Sequence, residues 1–340
     1  MFYPRTSLFS PFPVMTDMAS PLPVLSASNL IKTYKLADGR EVRAVDDVSL
    51  TVQAGDVLGL VGESGCGKST LGRCLLKLMD VSSGQIVFEG RDITHMREAT
   101  LRPLRQRMQM VFQDSYASLN PRRRVGALLA EPLKVHRQAD GQRRSSIAIT
   151  HRLEELMDLV ALSRDALERY PHEFSGGQRQ RINIARALAL SPRLIVADEP
   201  VSALDVSVQA QIVNLFADLR EQLGLTYLFI AHDLAVVRQI STRVAVMYLG
   251  GIVETGQTDV VLCQPAHPYT RALMQAVPRP IVGGAKPPSL KGDIPSPMKR
   301  QAGCRFHTRC PVAQPYCAAN VPVLQRLDDG RDVACHFPVA

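Results

Sequence analysis

The 340-residue sequence contains no tryptophan, and aromatic residues make up only 5% of it. Single-stranded nucleic acids are commonly held by aromatic side chains on which bases stack, so this composition argues against such a platform. No apolar run approaches the ~20 residues that a membrane-spanning helix needs. Residues 1–24 also lack a continuous apolar stretch and are rich in proline, so we expect a disordered leader there and not a signal peptide. We therefore expect a cytoplasmic chain whose seven cysteines are reduced or metal-bound.

The composition otherwise fits a globular protein, with 46% hydrophobic and 21% charged residues. A net charge of +8 suggests an acidic partner such as a nucleotide, a nucleic acid or an anionic lipid headgroup. A solvated basic surface explains the same charge equally well. The charge alone therefore does not choose between these functions.

The order of apolar segments predicts an α/β fold. Short apolar strands at residues 57–61, 194–197 and 227–230 are each followed by polar turn residues and a helical pattern, the first of which spans residues 69–79. Such alternation predicts a mostly parallel sheet covered by helices on both faces.

The same pattern predicts the domain organisation. A main domain is expected at residues 25–277, with a helical subdomain at about residues 114–172. Residues 278–340 are expected to form a proline-rich linker and a Cys-rich C-terminal extension that is too small to build a core of its own.

A glycine-rich loop carries the clearest chemistry. Residues 62–69 match the pattern G-x-x-x-x-G-K-[ST], in which backbone N–H groups turn inward around the β-phosphate of a nucleotide. The lysine of this pattern reaches the β- and γ-phosphates, and the hydroxyl after it binds Mg²⁺. The loop follows an apolar strand and begins a helix, a context that an ordinary Gly-rich turn lacks. The predicted ATP-binding residues here are Gly62, Glu63, Ser64, Gly65, Cys66, Gly67, Lys68, Ser69 and Thr70.

Two adjacent carboxylates end the apolar strand at residues 194–197. Asp198 is predicted to hold Mg²⁺ directly or through water, because a strand end beside the phosphate loop can reach the metal. Glu199 is then the candidate general base that polarises the attacking water. Many strands end in acids, so the pair gains its meaning from the phosphate loop earlier in the chain.

The motif FSGGQ at residues 174–178 discriminates between families. A Ser-Gly-Gly turn at a helix start presents a hydroxyl, free N–H groups and the positive end of the helix dipole to an anion. The candidate contacts to a second phosphate group are Ser175, Gly176, Gly177 and Gln178. The motif resembles the signature of ATP-binding cassette proteins, with Phe174 where Leu is commoner. The resemblance implies a P-loop nucleotide-binding domain of that type, in which the signature of one subunit covers the γ-phosphate held by its partner.

The resemblance assigns roles to further residues. Tyr34 is similar to the aromatic residue that stacks on adenine, although a core tyrosine is an alternative. Gln113 resembles the glutamine that senses Mg²⁺ and water and touches the membrane subunit. Asp205 ends a segment similar to the loop that links the two nucleotide sites, and His232 resembles the switch histidine at the γ-phosphate. The implied catalytic residues are Lys68, Gln113, Glu199 and His232, and the implied Mg²⁺ ligands are Ser69, Gln113 and Asp198.

Longer segments narrow the resemblance to importers of dipeptides and oligopeptides. These segments are residues 110–122, 170–178, 197–205 and 267–273, together with the tail that follows. The form of the phosphate loop favours the F-type of the two ATPase subunits in such systems. The resemblance implies an ATPase coupled to peptide import, peripheral at the cytoplasmic face of the inner membrane. The implied partners are a second, D-type cassette subunit, two membrane-spanning permease subunits and an extracytoplasmic solute-binding protein, with no nucleic acid.

The C-terminal tail contains four cysteines: Cys304, Cys310, Cys317 and Cys335. Their spacing matches neither a zinc finger nor the common ferredoxin runs. The tail resembles the extension of peptide-importer ATPases, in which four such cysteines can hold a [4Fe–4S] cluster. Zinc and unliganded thiols are the alternatives. Cys66, Cys74 and Cys263 lie in the main domain and are expected to be packing residues.

Three other functions fit parts of the pattern. A cassette protein acting on ribosomes or DNA would use the basic charge, but such members usually carry two cassettes or a long coiled-coil insertion, and this sequence has neither. A regulatory protein that binds ATP without hydrolysing it is disfavoured by the presence of Glu199 and His232. An exporter is disfavoured because exporters commonly fuse membrane spans to the cassette.

Overall fold

A computed structural model describes residues 22–136, 141–276, 295 and 302–339. Almost all of the predicted leader, and of the proline-rich segment at residues 278–297, lies outside these ranges. Within the described ranges, no helix combines the length and the apolar character that crossing a membrane requires.

The strands of the described residues form two sheets. The strands are β1 (Leu25–Lys35), β2 (Glu41–Val52), β3 (Val57–Val61), β4 (Ser83–Phe88), β5 (Arg91–Asp92), β6 (Met108–Val111), β7 (Leu194–Asp198), β8 (Thr226–Ile230), β9 (Arg243–Tyr248), β10 (Gly251–Gln257), β11 (Gln325–Arg326) and β12 (Asp332–Val333). The smaller sheet is antiparallel, with the order β2-β1-β4-β5. The larger has the order β11-β12-β10-β9-β3-β8-β7-β6, in which the strands from β9 to β6 are parallel.

The helices cover the larger sheet and separate its strands in sequence. They are α1 (Lys68–Leu75), α2 (Glu98–Arg105), α3 (Val125–Val135), α4 (Ser146–Leu159), α5 (Gly176–Leu188), α6 (Val206–Leu223), α7 (Leu234–Ile240), α8 (Thr258–Cys263), α9 (Pro268–Ala276) and α10 (Pro315–Ala319), with short 3₁₀ turns at Arg164–Glu168 and Pro171–Glu173. α3, α4 and the first 3₁₀ turn fall within the region where the sequence predicts a helical subdomain, and the second turn lies at its end.

The helix after the phosphate loop is shorter than its sequence pattern predicts. α1 ends at Leu75, and the prediction that it continues to residue 79 is wrong. Lys77 has a positive φ of 54°, which is incompatible with the helix, and its ammonium donates to the Thr94 carbonyl at 2.7 Å. The positive φ at Lys77 therefore ends the helical path, and the buried hydrogen bond fixes the side chain of that residue.

The core lies on both faces of the larger sheet. β3, β7 and β8 are buried along their whole length, as expected of central parallel strands. Along β7, Ile195 and Ala197 enter one apolar cluster, whereas Leu194 and Val196 enter the other, because successive side chains point to opposite faces.

The C-terminal extension is joined to the main domain. β12 pairs with β10 and so adds to the edge of the larger sheet. Phe306 is 1% exposed and packs its ring against Tyr248 and Tyr269, with ring centroids 5.3 and 5.4 Å apart. The sequence predicts an extension without a core of its own, and in the structure the main domain supplies the apolar surface on which the extension packs.

Candidate active site

The phosphate loop connects β3 to α1 at the carboxyl end of the sheet. Gly62 and Gly67 have positive φ angles of 153° and 105°. A Cβ atom would lie 2.1 Å from the Met247 carbonyl oxygen at the first position and 2.0 Å from the Ala44 carbonyl oxygen at the second. Both positions therefore require glycine. Gly67 directly precedes α1, so the loop lies at the positive end of that helix.

Lys68 is buried behind this loop, with 4% of its surface exposed. Its ammonium donates to the carbonyl oxygens of Gly62 at 2.8 Å and Glu63 at 3.1 Å. The same nitrogen lies 4.0 Å from Oε1 of Glu199. The lysine charge is therefore held inside the loop, where an anion would meet it.

Ser69 and Asp198 form an oxygen pair beside the lysine. The Ser69 hydroxyl donates to Oδ1 of Asp198 at 2.7 Å. Burial raises the pKa of Asp198 above its ordinary value, an effect that the Ser69 hydrogen bond only partly offsets. Hydroxyl and carboxylate oxygens suit Mg²⁺, which takes one or two protein ligands and completes its shell with water and phosphate oxygens.

Glu199 meets Gln113 and His232 next to this pair. Gln113 Nε2 donates to Oε2 of Glu199 at 3.1 Å, and His232 Nδ1 lies 3.3 Å from the same oxygen. The three residues follow β6, β7 and β8, which are neighbours in the sheet. Glu199 has a φ of 45°, a backbone conformation that is unfavourable for a non-glycine residue. The carboxyl ends of three parallel strands therefore bring a carboxylate and two polar partners together.

The FSGGQ motif begins α5. Ser175 is the N-cap residue: its hydroxyl accepts from the Gln178 N–H at 3.3 Å, and Oε1 of Gln178 accepts from the Ser175 N–H at 3.0 Å. This reciprocal pair stabilises the helix start. A Cβ on Gly177 would lie 2.5 Å from Val208 of α6, so the motif packs closely on that helix. Ser175 itself is exposed.

The other predicted site residues lie at varied depths. Ser64 and Gly65 are exposed at the tip of the phosphate loop, and Thr70 is half-buried in α1. Asp205 is exposed at the start of α6. Tyr34 lies half-buried on β1, where its hydroxyl contacts the Met79 sulfur at 3.5 Å, and its role at the adenine stays a prediction.

The four tail cysteines share one cavity, which His267 and Phe306 also line. They are Cys304, Cys310, Cys317 and Cys335. Burial raises the pKa of Cys304, Cys310 and Cys335, in the last case to about 11. The described part of the chain nevertheless contains no group of three or more His, Cys, Asp or Glu side chains placed to hold a metal ion. The thiols are thus gathered, but they do not form a preformed ligand set.

The remaining cysteines differ from one another. Cys66 and Cys74 are buried, as the sequence predicts, and burial raises the pKa of both thiols. The prediction that Cys263 packs in the interior is wrong. Cys263 ends α8 and is exposed, and its sulfur lies 3.7 Å from the Arg238 guanidinium.

Two residues that hold the phosphate loop from outside are not found by sequence reasoning. The Tyr269 hydroxyl accepts from the Glu63 N–H at 3.0 Å. Arg309 donates to both carboxylate oxygens of Glu63, at 2.7 and 3.0 Å. Tyr269 lies in the segment at residues 267–273, which stands out in the sequence only through the family resemblance. No local sequence pattern indicates a contact between positions 63 and 309.

Two family models match the sequence. The model described as ABC transporter matches residues 45–202, and the model described as oligopeptide/dipeptide transporter, C-terminal region, matches residues 253–317. The first covers the phosphate loop, the signature and the carboxylates at the end of β7. The second covers the end of the main domain and the first three tail cysteines.

Relatives and solved structures agree with these matches. A probable peptide ABC transporter ATP-binding protein, y4tS of Sinorhizobium fredii, is 51% identical over 92% of this chain and 89% of its own length. The oligopeptide transport ATP-binding protein AppF of Bacillus subtilis is 50% identical over 87% of this chain and 90% of its own. The dimeric structure of a post-hydrolysis state of the ATP-binding cassette MJ0796, bound to ADP and Pi, aligns with a TM-score of 0.62 at 28% identity, covering 69% of this chain and 98% of that one. The chain therefore belongs to the ATP-binding cassette transporter family, within its group of oligopeptide and dipeptide transporter ATP-binding proteins.

Proposed function

We propose that this chain hydrolyses ATP to drive the import of short peptides through partner membrane subunits. One observation carries the proposal: the Ser69–Asp198 pair and the Glu199 cluster meet beside a buried Lys68 at the end of a parallel sheet. The peptide specificity is supported by the C-terminal family match and by relatives named as peptide import proteins. Those relatives do not favour a cassette protein acting on ribosomes or DNA.

The residues divide the work of phosphoryl transfer between them. The phosphate loop and Lys68 bind the β- and γ-phosphates, where positive charge stabilises the transition state. Ser69 and Asp198, with Gln113 as a further predicted ligand, would hold Mg²⁺, and the metal would neutralise charge that develops on the phosphates. This assignment needs only the oxygen ligands that the structure places together.

Glu199 is positioned to accept the proton of the attacking water. Gln113 and His232, when the latter carries its proton on Nδ1, both donate to Oε2 and fix the carboxylate. Oε1 faces the Lys68 ammonium and therefore the place of the γ-phosphate. A carboxylate fixed by two donors can orient water without first being reorganised.

We also propose that a second cassette subunit, a D-type homologue, completes the site. Ser175 is exposed at the start of the 13-residue helix α5, where its hydroxyl and the helix N–H groups can meet a partner's γ-phosphate. Asp205, in the predicted inter-site loop, is exposed as well and is therefore accessible to a partner.

The membrane arrangement follows from these partners. Two permease subunits would dock near Gln113, an extracytoplasmic binding protein would deliver the peptide, and the chain would be peripheral at the cytoplasmic face of the inner membrane. In this arrangement residues 25–277 are the cassette, about residues 114–172 its helical subdomain and residues 278–340 the linker and extension.

We propose in addition that the four tail cysteines can hold a [4Fe–4S] cluster. Its support is the shared cavity of the thiols, and the lack of a preformed ligand set weighs against it. The test is anaerobic purification followed by iron and acid-labile sulfide analysis. About four iron and four sulfide ions per chain would support the cluster. The absence of both iron and acid-labile sulfide would contradict it.

The test of the transport function is to tag the chain in its own cell, extract it in mild detergent and identify what co-purifies. We expect two multi-span membrane proteins and a second cassette ATPase, and we expect the reconstituted complex to take up a labelled peptide only with ATP. Co-purification of ribosomes or nucleic acid, without membrane proteins, would contradict the transport function.

A further inference from the structure

Glu63 of the phosphate loop is held by three separate parts of the chain. Its carbonyl oxygen accepts from Lys68, its N–H donates to the Tyr269 hydroxyl, and its carboxylate accepts two hydrogen bonds from Arg309. Tyr269 belongs to α9, and Arg309 lies in the C-terminal extension, 246 residues away in sequence. The extension thus touches the loop that binds phosphate.

The Arg309 contact has the features of a fixed structural clamp. The arginine side chain is 4% exposed, whereas that of Glu63 is 21% exposed. Its guanidinium also donates to the Tyr248 hydroxyl at 3.4 Å and lies 5.8 Å from the centre of that ring. A planar fork that matches both carboxylate oxygens fixes direction as well as distance. The Glu63 side chain is therefore held in one orientation.

A second contact runs from the same stretch of the extension toward the back of the loop. Arg305 donates to the Leu249 carbonyl oxygen at 2.8 Å. The next residue, Gly250, donates its N–H to the Cys66 carbonyl oxygen in the phosphate loop at 2.9 Å. Arg305 and Arg309 are four residues apart, so one short segment supports both the beginning and the middle of the loop.

The loop needs such support because its own backbone restricts it little. Gly62, Gly65 and Gly67 all have positive φ angles, and glycine adopts positive and negative φ with similar ease. When only a fraction of molecules has the loop in its binding conformation, the apparent Kd for nucleotide rises by the inverse of that fraction.

We propose that Arg309 is a positioning residue for nucleotide binding: by fixing the Glu63 carboxylate, it holds the phosphate loop in the conformation that accepts a β-phosphate. The C-terminal extension is thereby part of the nucleotide site. The Arg309 fork ends on Glu63 of the phosphate loop, so its loss should weaken nucleotide binding more than it slows the bound nucleotide's hydrolysis. The inference rests on the proposed nucleotide site at this loop.

The experiment measures the Kd for MgATP and for MgADP by isothermal titration calorimetry on the full chain. The variants are Arg309→Gln, Arg309→Lys, Glu63→Gln and the double variant Arg309→Gln/Glu63→Gln. Arg331→Gln is the matched control, because Arg331 is also a buried arginine of the extension (8% exposed) that bonds a carboxylate of the main domain, Glu254, at 3.3 Å. Thermal unfolding without nucleotide is followed for each variant.

We expect Arg309→Gln to raise both Kd values about tenfold, which corresponds to a binding-competent loop in about a tenth of the molecules. Glu63→Gln should do the same, and the double variant should be no weaker than either, because both changes break one contact. Arg309→Lys keeps the charge but loses the fork, and should fall between wild type and Arg309→Gln. Arg331→Gln should lower Tm and leave both Kd values unchanged.

Wild-type Kd values in both Arg309→Lys and Glu63→Gln would overturn the inference, even if Arg309→Gln failed to fold. The inference would also be overturned if Arg309→Gln raised the Kd by the same factor in the Glu63→Gln chain as in the wild-type chain. An Arg331→Gln variant that weakens binding as much as Arg309→Gln would overturn it too. Lys68→Ala separates the two levels of the argument. If it binds nucleotide normally, the proposed nucleotide site itself is wrong. If Lys68→Ala does not bind nucleotide but Arg309→Gln binds it with the wild-type Kd, only the positioning role of Arg309 is wrong.

Discussion

Ser69 and Asp198 are 129 residues apart in sequence, and the hydroxyl of the first donates to the carboxylate of the second at 2.7 Å. This contact joins the start of α1 to the end of β7, across the intervening strand β8. It holds the phosphate loop close to the carboxylates of Asp198 and Glu199 at one edge of the sheet. Asp198 is only 1% exposed, and burial disfavours the charged form of its carboxylate.

Replacing Asp198 by Asn should stabilise the nucleotide-free protein and weaken its Mg²⁺-dependent ATP binding. Because burial raises the pKa of Asp198, the folded state binds its proton more tightly than the unfolded state does. Stability is therefore lost as pH rises from the ordinary aspartate pKa of 3.8 through the raised pKa of the folded state, and the loss persists at pH 7. Asn removes that charge and keeps an oxygen that can accept from Ser69.

Thermal unfolding at pH 7 checks the first half of this prediction, and titration of ATP binding with Mg²⁺ checks the second. Asp218→Asn, at a position in α6, is the control and should change neither. A lower Tm for Asp198→Asn would show that the buried carboxylate stabilises the fold and would contradict this account.

His267 predicts an acid sensitivity at the junction with the extension. It is 1% exposed, its Nδ1 accepts from the Tyr269 N–H at 3.0 Å, and burial lowers its pKa to about 3. The neutral form is favoured by folding, so stability is complete above the unfolded pKa of 6.5 and falls as pH decreases toward 3. At 1.36 kcal/mol per pH unit, the loss between pH 6.5 and 5 is about 2 kcal/mol.

Urea unfolding of wild type and His267→Gln at pH 7 and pH 5 measures this loss. The variant should have a smaller decrease between the two pH values than wild type, whatever its stability at pH 7. His151, which is exposed on α4, provides the control substitution His151→Gln, for which we expect the wild-type decrease. An equal decrease in wild type and His267→Gln would mean that other groups cause the acid sensitivity.

Ser175→Asp should separate helix stability from the role of the FSGGQ motif between subunits. Aspartate is as good an N-cap residue as serine and favours the positive helix end, so Tm should be unchanged. Its negative charge would repel a partner's γ-phosphate. We therefore expect unchanged ATP binding by the single chain but loss of ATP-dependent association and of most hydrolysis.

Sedimentation of Glu199→Gln with and without Mg·ATP, compared with the double variant Ser175→Asp/Glu199→Gln, measures that association without interference from turnover. The test uses the chain with its partner cassette. Association of the double variant at the level of Glu199→Gln would show that Ser175 does not face the partner's phosphate.

Much of the fold and of the site could be predicted from local sequence. The observed strand β3 has the predicted bounds, and β7 and β8 are each one residue longer than the apolar runs at 194–197 and 227–230. These strands could be predicted because buried parallel strands form continuous apolar segments in the sequence. Glu199 was identified from the acidic end of an apolar run, and Gln113 and His232 through the family resemblance. Their mutual contact follows from the rule that the carboxyl ends of parallel strands share one edge of a sheet.

The rest depends on contacts that no local pattern encodes. β12 is two residues long, too short for alternation to be recognised, and pairs with β10 only because the extension folds back onto the sheet edge. The clamp between Arg309 and Glu63 joins residues 246 apart. Cysteine is a residue type that usually packs in the interior, but α8 exposes Cys263 to solvent.

The most direct test of the central claim is ATP hydrolysis by the purified transporter carrying Glu199→Gln in this chain, measured beside ATP binding. If Glu199 is the general base, the variant should bind ATP with wild-type affinity and hydrolyse it at this chain's site about 10²–10⁴-fold more slowly. Glu221→Gln, at an exposed position in α6, is the matched control and should hydrolyse ATP at the wild-type rate. Wild-type hydrolysis by Glu199→Gln, at a site that still requires Lys68, would contradict the assignment of the base.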